Sequence, residues 1–197
     1  MFGDIGNNEK GWPICKLSEI AEIKIGPFGS LLHKEDYVEN GHPVVNPANI
    51  NDGKVVVDPK LTISESKYYE LKAYQLNVGD IVLGRRGEMG RCAIITETGM
   101  LCGTGSIIIR PNYKMNAYFL KYILSSPVYK SIIESKAVGV TMLNLNVPIV
   151  SSFNIPLLPG SSQDEYISIL KKVDKSKFML ASTCIVICSG VKRPVYV

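Results

Sequence analysis

The sequence predicts an α+β fold: a β-rich, twisted or barrel-like body followed by a helical pair and a C-terminal helix. Three observations predict it. Apolar residues alternate with Glu and Lys from Ile20 to Ile25, the period of a half-buried strand. Short apolar runs then recur up to Pro111, divided by turn signals such as "NDG" and "ETG". Beyond Pro111 the apolar period becomes helical. A chain of 197 residues has the length of one sizeable domain, and 46% hydrophobic with 20% charged residues exclude a disordered or collagen-like chain.

After Ile25 the strand candidates are "PVVN", "KVVV", "DIVLG", "RCAIIT" and "SIIIRP", with "SKYYELKAY" as a short helix among them. Their irregular spacing and frequent turns argue against a βαβ repeat. In the helical part, Phe119 with Ile123 and Leu120 with Leu124 stand at i,i+4 and mark a buried face. Ser126 before Pro127 puts an N-cap residue ahead of a proline at the first helical position, opening a second helix, "VYKSIIESK". "VGVTMLNLNV" reads as a Gly-bearing loop entering another strand-like run, and the prolines of "FNIPLLPG" end it. Ser162 and Glu165 form an S-x-x-E capping box, so a terminal helix is expected from near Ser162, with Tyr166, Ile169, Leu170 and Val173 along one stripe. There is no repeat at solenoid periods and no low-complexity segment.

The net charge of +4 hides a gradient: residues 1–84 carry 8 Lys or Arg against 12 Asp or Glu, and residues 85–197 carry 14 against 6. A solvated face and a surface meeting a polyanion both fit this asymmetry. Five cysteines, an odd number without C-x-x-C spacing, indicate neither a disulfide framework nor a zinc site, and a reduced cytosolic chain is expected. "MFGDIGNNEKGW" lacks the apolar core of a secretory signal, and the run "MLASTCIVIC" falls short of the ~20 residues that cross a bilayer.

No catalytic constellation is present: G-x-x-x-x-G-K-[ST], H-E-x-x-H and G-x-S-x-G are all missing, and His33 and His42 have no metal-ligand spacing. "NPAN" at Asn46 to Asn49 is superficially similar to the N-P-P-aromatic loop that holds a flipped base, but lacks the second proline and the stacking aromatic. "GRRGEMGR" at Gly84 to Arg91 has the wrong glycine spacing for a nucleotide-binding turn and reads as a hairpin loop. That loop offers Arg85, Arg86 and Arg91, side chains shaped for phosphate and for guanine O6 and N7; a solvated charged turn is the competing reading. The same two readings apply to Lys24, Ser30 and Lys34 around "GPFGSLLHKEDY", and to Lys114, Lys121, Lys130 and Lys136 on the helices. Within "GPFGS", Pro27 fixes φ, and Gly26 and Gly29 are expected to reach backbone angles closed to other residues.

Taken in order, "WP" at Trp12 and Pro13, "KLSEIAEIKIGPFGS" from Lys16, "NGHPVVNPANI" up to Ile50, "GDIVLGRRGEMGR" from Gly79, "FLKYILSS" from Phe119, "VGVTMLNLN" from Val138 and "IPLLPGSSQ" up to Gln163 form an ordered set over residues 12–180. The set resembles the specificity subunits of type I restriction-modification systems, with one target recognition domain and the start of its following helix. The resemblance implies a target recognition domain over 1–160, the start of a spacer helix over 161–180, and an atypical tail over 181–197 that looks truncated or frame-shifted, Cys184 and Cys188 included. It implies a non-catalytic reader of double-stranded DNA, without a cofactor of its own, that directs a separate modification (methyltransferase) subunit and, through the complex, a motor/nuclease subunit. A chain with a single recognition domain implies a homodimer reading a symmetric target. Its expected DNA contacts are Lys24, Ser30, Lys34, Arg85, Arg86, Arg91, Thr141 and Asn144. A silent or assembly-defective recognition cassette and a DNA methyltransferase fragment are the alternatives.

Overall fold

The computed structural model describes residues 2–87, 89–137 and 144–173. Thr141, residues 174–180 of the expected spacer-helix start, and the whole expected tail over 181–197, with Cys184 and Cys188, lie outside the described residues. The architecture is α+β and layered, and among the described residues its sheets stay open rather than closing into a barrel.

Strand β1 (Ile14–Lys16), the single helical turn α1 (Leu17–Ile20) and β2 (Ala21–Ile25) come first. Short strands β3 (Tyr37–Val38), β4 (His42–Val45), β5 (Ile50–Asn51), β6 (Lys54–Val55) and β7 (Thr62–Ile63) lead to helix α2 (Glu65–Glu70). Ser64 caps α2 by accepting from the Lys67 N–H at 3.2 Å, as a serine ahead of a helix does. Then come β8 (Ile81–Gly84), β9 (Cys92–Ile94), β10 (Leu101–Cys102) and β11 (Ser106–Pro111). The helical part holds α3 (Ala117–Ser125), α4 (Pro127–Lys136), α5 (Val147–Ser151), strand β12 (Asn154–Pro156) and α6 over 160–173.

The main sheet has the antiparallel order β2-β11-β8-β9 and is covered on both faces. Ile81, Leu83, Ile107 and Ile109 point to the helices, where Phe119, Leu120, Ile123 and Leu124 of α3 are all fully buried. Val82, Ala93 and Ile108, one residue out of phase, point to the other side. There they meet Val45 and Cys102 of a second sheet, ordered β10-β4-β7-β3. The outer face of that sheet carries Val44, Ile63 and Leu101, covered by Tyr68 and Leu71 of the α2 region. Two-sided burial explains why β8 is apolar at Ile81, Val82 and Leu83 without alternation. Asp80 ends this strand edge, fully buried and held by Arg110 Nε at 2.8 Å and Nη2 at 2.7 Å.

Three local expectations change. The strand-like run expected after "VGVTMLNLNV" and before the prolines of "FNIPLLPG" contains helix α5: Asn146 accepts from the Ile149 N–H at 2.9 Å and Pro148 sits in the first turn, so a cap and a proline outweigh β-branched propensity. α6 begins at residue 160, placing Ser162 inside its first turn rather than at the N-cap. Its inner stripe is Gln163, Tyr166, Ile167 and Leu170, whereas Ile169 and Val173 are exposed. Gln163 fixes this register: it donates to the Lys114 and Leu158 carbonyls and accepts from the Asn116 N–H.

Candidate nucleic-acid interface

One end of the main sheet brings together Ser30, Lys34, Arg85, Arg86 and Asn144 among the DNA contacts expected from the sequence. Ile25, Ile107, Leu83 and Cys92 pair in a single row across β2, β11, β8 and β9. Immediately beyond that row β2 and β8 leave the sheet and β9 and β11 enter it, so the segments 26–36, 85–91 and 103–105 emerge side by side. Backbone bonds lock them: Gly26 N–H donates to the Ser106 carbonyl at 3.0 Å, and Arg85 N–H to the Gly105 carbonyl at 2.9 Å. The Leu145 N–H donates to the Arg85 carbonyl at 3.1 Å and brings Asn144 to the same place.

Close packing of backbones builds this end. A Cβ on Gly26 would stand 2.0 Å from the Gly103 carbonyl oxygen, and one on Gly103 would stand 2.1 Å from Asn46 Oδ1. Gly26 is therefore required for space; neither it nor Gly29 adopts a positive φ, which corrects the expectation of unusual backbone angles at both. Gly29 meets nothing within 4 Å. The Asn46 carboxamide, noted in the sequence only as part of "NPAN", accepts from the Gly105 N–H at 3.4 Å, a packing role that the sequence analysis did not assign to it.

The expected contact residues divide by environment. Arg86 is exposed on the β8–β9 hairpin loop. Arg85 is buried to 4% exposure; its Nε has no hydrogen-bond partner, and among the described residues it has no ion pair. Burial, then the neighbouring Arg86 charge, pull its pKa below the usual arginine range. Asn144 Oδ1 is likewise buried and unpartnered. An orphan donor and an orphan acceptor thus lie on two segments joined by one backbone bond. Ser30 and Lys34 are exposed in the segment after β2, whose shape is held by His33 Nε2 against the Ser30 carbonyl and by Asp36, which accepts from the His33 N–H at 2.7 Å. That backbone bond, with Lys67 nearby, holds the Asp36 carboxyl below its usual range.

Two residues stand apart from this group. Lys24 lies within β2 facing the second sheet's side, its ammonium 5.3 Å from the centre of the Tyr74 ring. Arg91 turns toward the β5–β6 hairpin, where its Nη1 donates to the Ile50 carbonyl at 3.1 Å.

The profile of the type I restriction modification DNA specificity domain matches residues 9–183. The chain belongs to that family. The same layered fold is found in solved structures. A structure described as showing complex assembly and conformational transition of the type I R-M system superposes with a TM-score of 0.68 at 20% identity, over 88% of this chain and 40% of that one. The HsdS subunit from Thermoanaerobacter tengcongensis does so with a TM-score of 0.66 at 19% identity, over 89% and 40%. In sequence, the domain is 24% identical over 178 residues to the type I restriction enzyme MjaVIII specificity subunit of Methanocaldococcus jannaschii. It spans 41% of that relative's length. Among the described residues of the specificity domain no helix is long and apolar enough to cross a membrane, and no group of three or more His, Cys, Asp or Glu is placed to hold a metal ion.

Proposed function

We propose that this chain is the DNA-reading half of a type I specificity subunit, non-catalytic and cytoplasmic, with 1–160 as the recognition domain, 161–180 as the start of a spacer helix and 181–197 as a tail. The observation that carries the reading is the pair of buried, unpartnered polar groups, Arg85 Nε and Asn144 Oδ1, at the sheet end where exposed Arg86, Ser30 and Lys34 also gather. A buried donor without an acceptor is costly, and the cost is offset when a ligand supplies the acceptor. Guanine O6 and N7 suit an arginine, and an asparagine carboxamide matches the donor and acceptor of adenine. Arg86 and Lys34 then meet phosphates, Lys24 and Arg91 flank the contact surface, and Thr141 is a further proposed DNA contact.

The duplex is read together with a modification (methyltransferase) subunit, and a motor/nuclease subunit joins through that complex. A second copy of the chain supplies the other half-site, so the target is symmetric. Selection of bound sites from a random duplex library tests this, using the full chain assembled with its cognate modification subunit and S-adenosylmethionine. A recovered symmetric motif is the expected result. No enrichment from an intact complex would overturn the reading.

A further inference from the structure

A second basic feature lies beside the reading loop rather than on it. The turn of the β5–β6 hairpin, the end of the β8–β9 loop and helices α3 and α4 enclose a cleft of about 350 Å³. Among the described residues, Arg91, Lys121 and Lys130 line it with one carboxylate, Asp52. Neither lysine has an ion pair among the described residues. Like charges converging on a partly enclosed space repel each other, and an anion relieves that repulsion.

The walls are shaped for close approach. Asp52 (φ 47°) and Gly53 (φ 73°) form the two central residues of the hairpin, both left-handed as a type I′ turn requires. The end of Lys121 packs onto this turn so tightly that a Cβ on Gly53 would stand 2.4 Å from its Nζ. Across the cleft Gly90, also with positive φ, lies against the Lys130 and Ile133 side chains. The field of both lysines reaches the cleft floor: burial pushes the Cys92 thiol upward, and Lys121 and Lys130 act in the opposite direction.

We infer that Lys121 and Lys130, with Arg91, hold a backbone phosphate diester of the duplex. The inference rests on the proposed DNA reading, because Gly90 and Arg91 continue directly from the loop that carries Arg85 and Arg86. Such a contact positions the duplex and carries no sequence information. It makes the cleft a source of affinity common to all DNA, next to loops that discriminate among sequences.

The test uses the full chain in complex with its modification subunit and the double variant Lys121→Gln, Lys130→Gln, with Lys72→Gln as an exposed control on another face. Fluorescence anisotropy follows a duplex bearing the selected site and one of unrelated sequence across a salt series. Affinity for both duplexes should fall by the same factor, and the log–log salt slope should flatten by about 0.9 for one lost phosphate contact, with Lys72→Gln unchanged. An unchanged slope overturns the proposal, as does a loss confined to the selected site. Lysine-dependent binding of inorganic phosphate without any effect on duplex affinity would identify a free-phosphate site instead, and also overturns it. A wild-type complex that binds unrelated duplex but selects no site refutes the sequence reading alone, and the slope still decides the cleft. Binding of no duplex at all overturns both.

Discussion

Replacing Gly26 by alanine tests how the reading end is built. The new Cβ would stand 2.0 Å from the Gly103 carbonyl oxygen, 2.9 Å from its carbon and 3.2 Å from Cys102 Sγ. Real Cβ atoms essentially never come within 3.0 Å of another atom, so the two segments must part by about 1 Å. The obstacle is backbone on both sides and cannot rotate away. Gly103 is held by its own N–H to the Val45 carbonyl at 2.9 Å and is pressed against the Asn46 carboxamide, while Gly26 N–H is tied to the Ser106 carbonyl at 3.0 Å. Forced overpacking costs ~1–3 kcal/mol, and each backbone bond weakened by the separation adds up to ~1 kcal/mol. The expected loss is about 3 kcal/mol, which lowers the melting temperature by about 6–12 °C in a domain of this size.

The assay is urea and thermal unfolding followed by circular dichroism, with Gly29→Ala as the paired variant. Gly29 has an ordinary φ and nothing within 4 Å, so its substitution should change stability by less than ~0.5 kcal/mol. If Gly26→Ala is as stable as wild type, or if Gly29→Ala falls equally, the packing argument is wrong and the "GPFGS" glycines serve some other purpose.

Three further outcomes are expected. Arg85→Met removes a buried cation without a partner, so unfolding free energy should hold or rise by about 1–2 kcal/mol, while duplex affinity drops by about 1–3 kcal/mol; a loss of stability would show that the guanidinium supports the fold instead. Asp80→Asn breaks the two-point contact to Arg110 and should cost about 2–3 kcal/mol in denaturant titrations, less than a fully buried pair because the Arg110 side chain is 37% exposed. Tyr129 is buried with its hydroxyl donating to the Asn154 carbonyl, and burial pushes its pKa up to about 12 from 10.0. The unfolded chain therefore ionises first, and the stabilising contribution present below pH ~10 should shrink by about 2–3 kcal/mol as pH rises to 12. Tyr129→Phe loses about 1 kcal/mol at pH 7 and lacks this alkaline decline; parallel wild-type and variant curves above pH ~10 would refute the assignment.

Local periodicity made the main sheet and the tandem helices legible. β2, β8 and β11 carry their burial pattern in consecutive residues, and Ser126–Pro127 marks the start of α4 with no help from the rest of the fold. The second sheet was less legible because β3, β7 and β10 are two residues long, too short to show a period, and β10 joins β4 in parallel from more than fifty residues away. β1 and β12 likewise pair across 140 residues. At the candidate site, composition identified Arg85 and Arg86 as a pair but could not separate them. Arg85, tied through its backbone to Gly105 and Leu145, is buried, whereas Arg86 next to it stays in solvent, a difference that only the tertiary packing makes.

The burial of the main sheet on both faces constrains where recognition evolves. Helices cover one side and the second sheet the other, so the main sheet itself offers a ligand its strand ends and the loops they project. At the end formed by the Ile25–Ile107–Leu83–Cys92 row, the locking groups are Gly26, Gly103 and the Asn46 carboxamide together with backbone bonds, none of which depends on the side chains at the loop tips. Tip residues such as Phe28, 62% exposed, and Arg86 can therefore change with stability shifts within ~0.5 kcal/mol. Under the proposed function, exchange of such residues alters the bases read while the frame persists. Arg85 and Asn144 differ, because a change at either alters a buried polar atom, Arg85 Nε or Asn144 Oδ1, that has no partner among the described residues. Under the proposed function, sequence preference set by this pair is thereby coupled to the stability of the domain, whereas preference set at the tips is not.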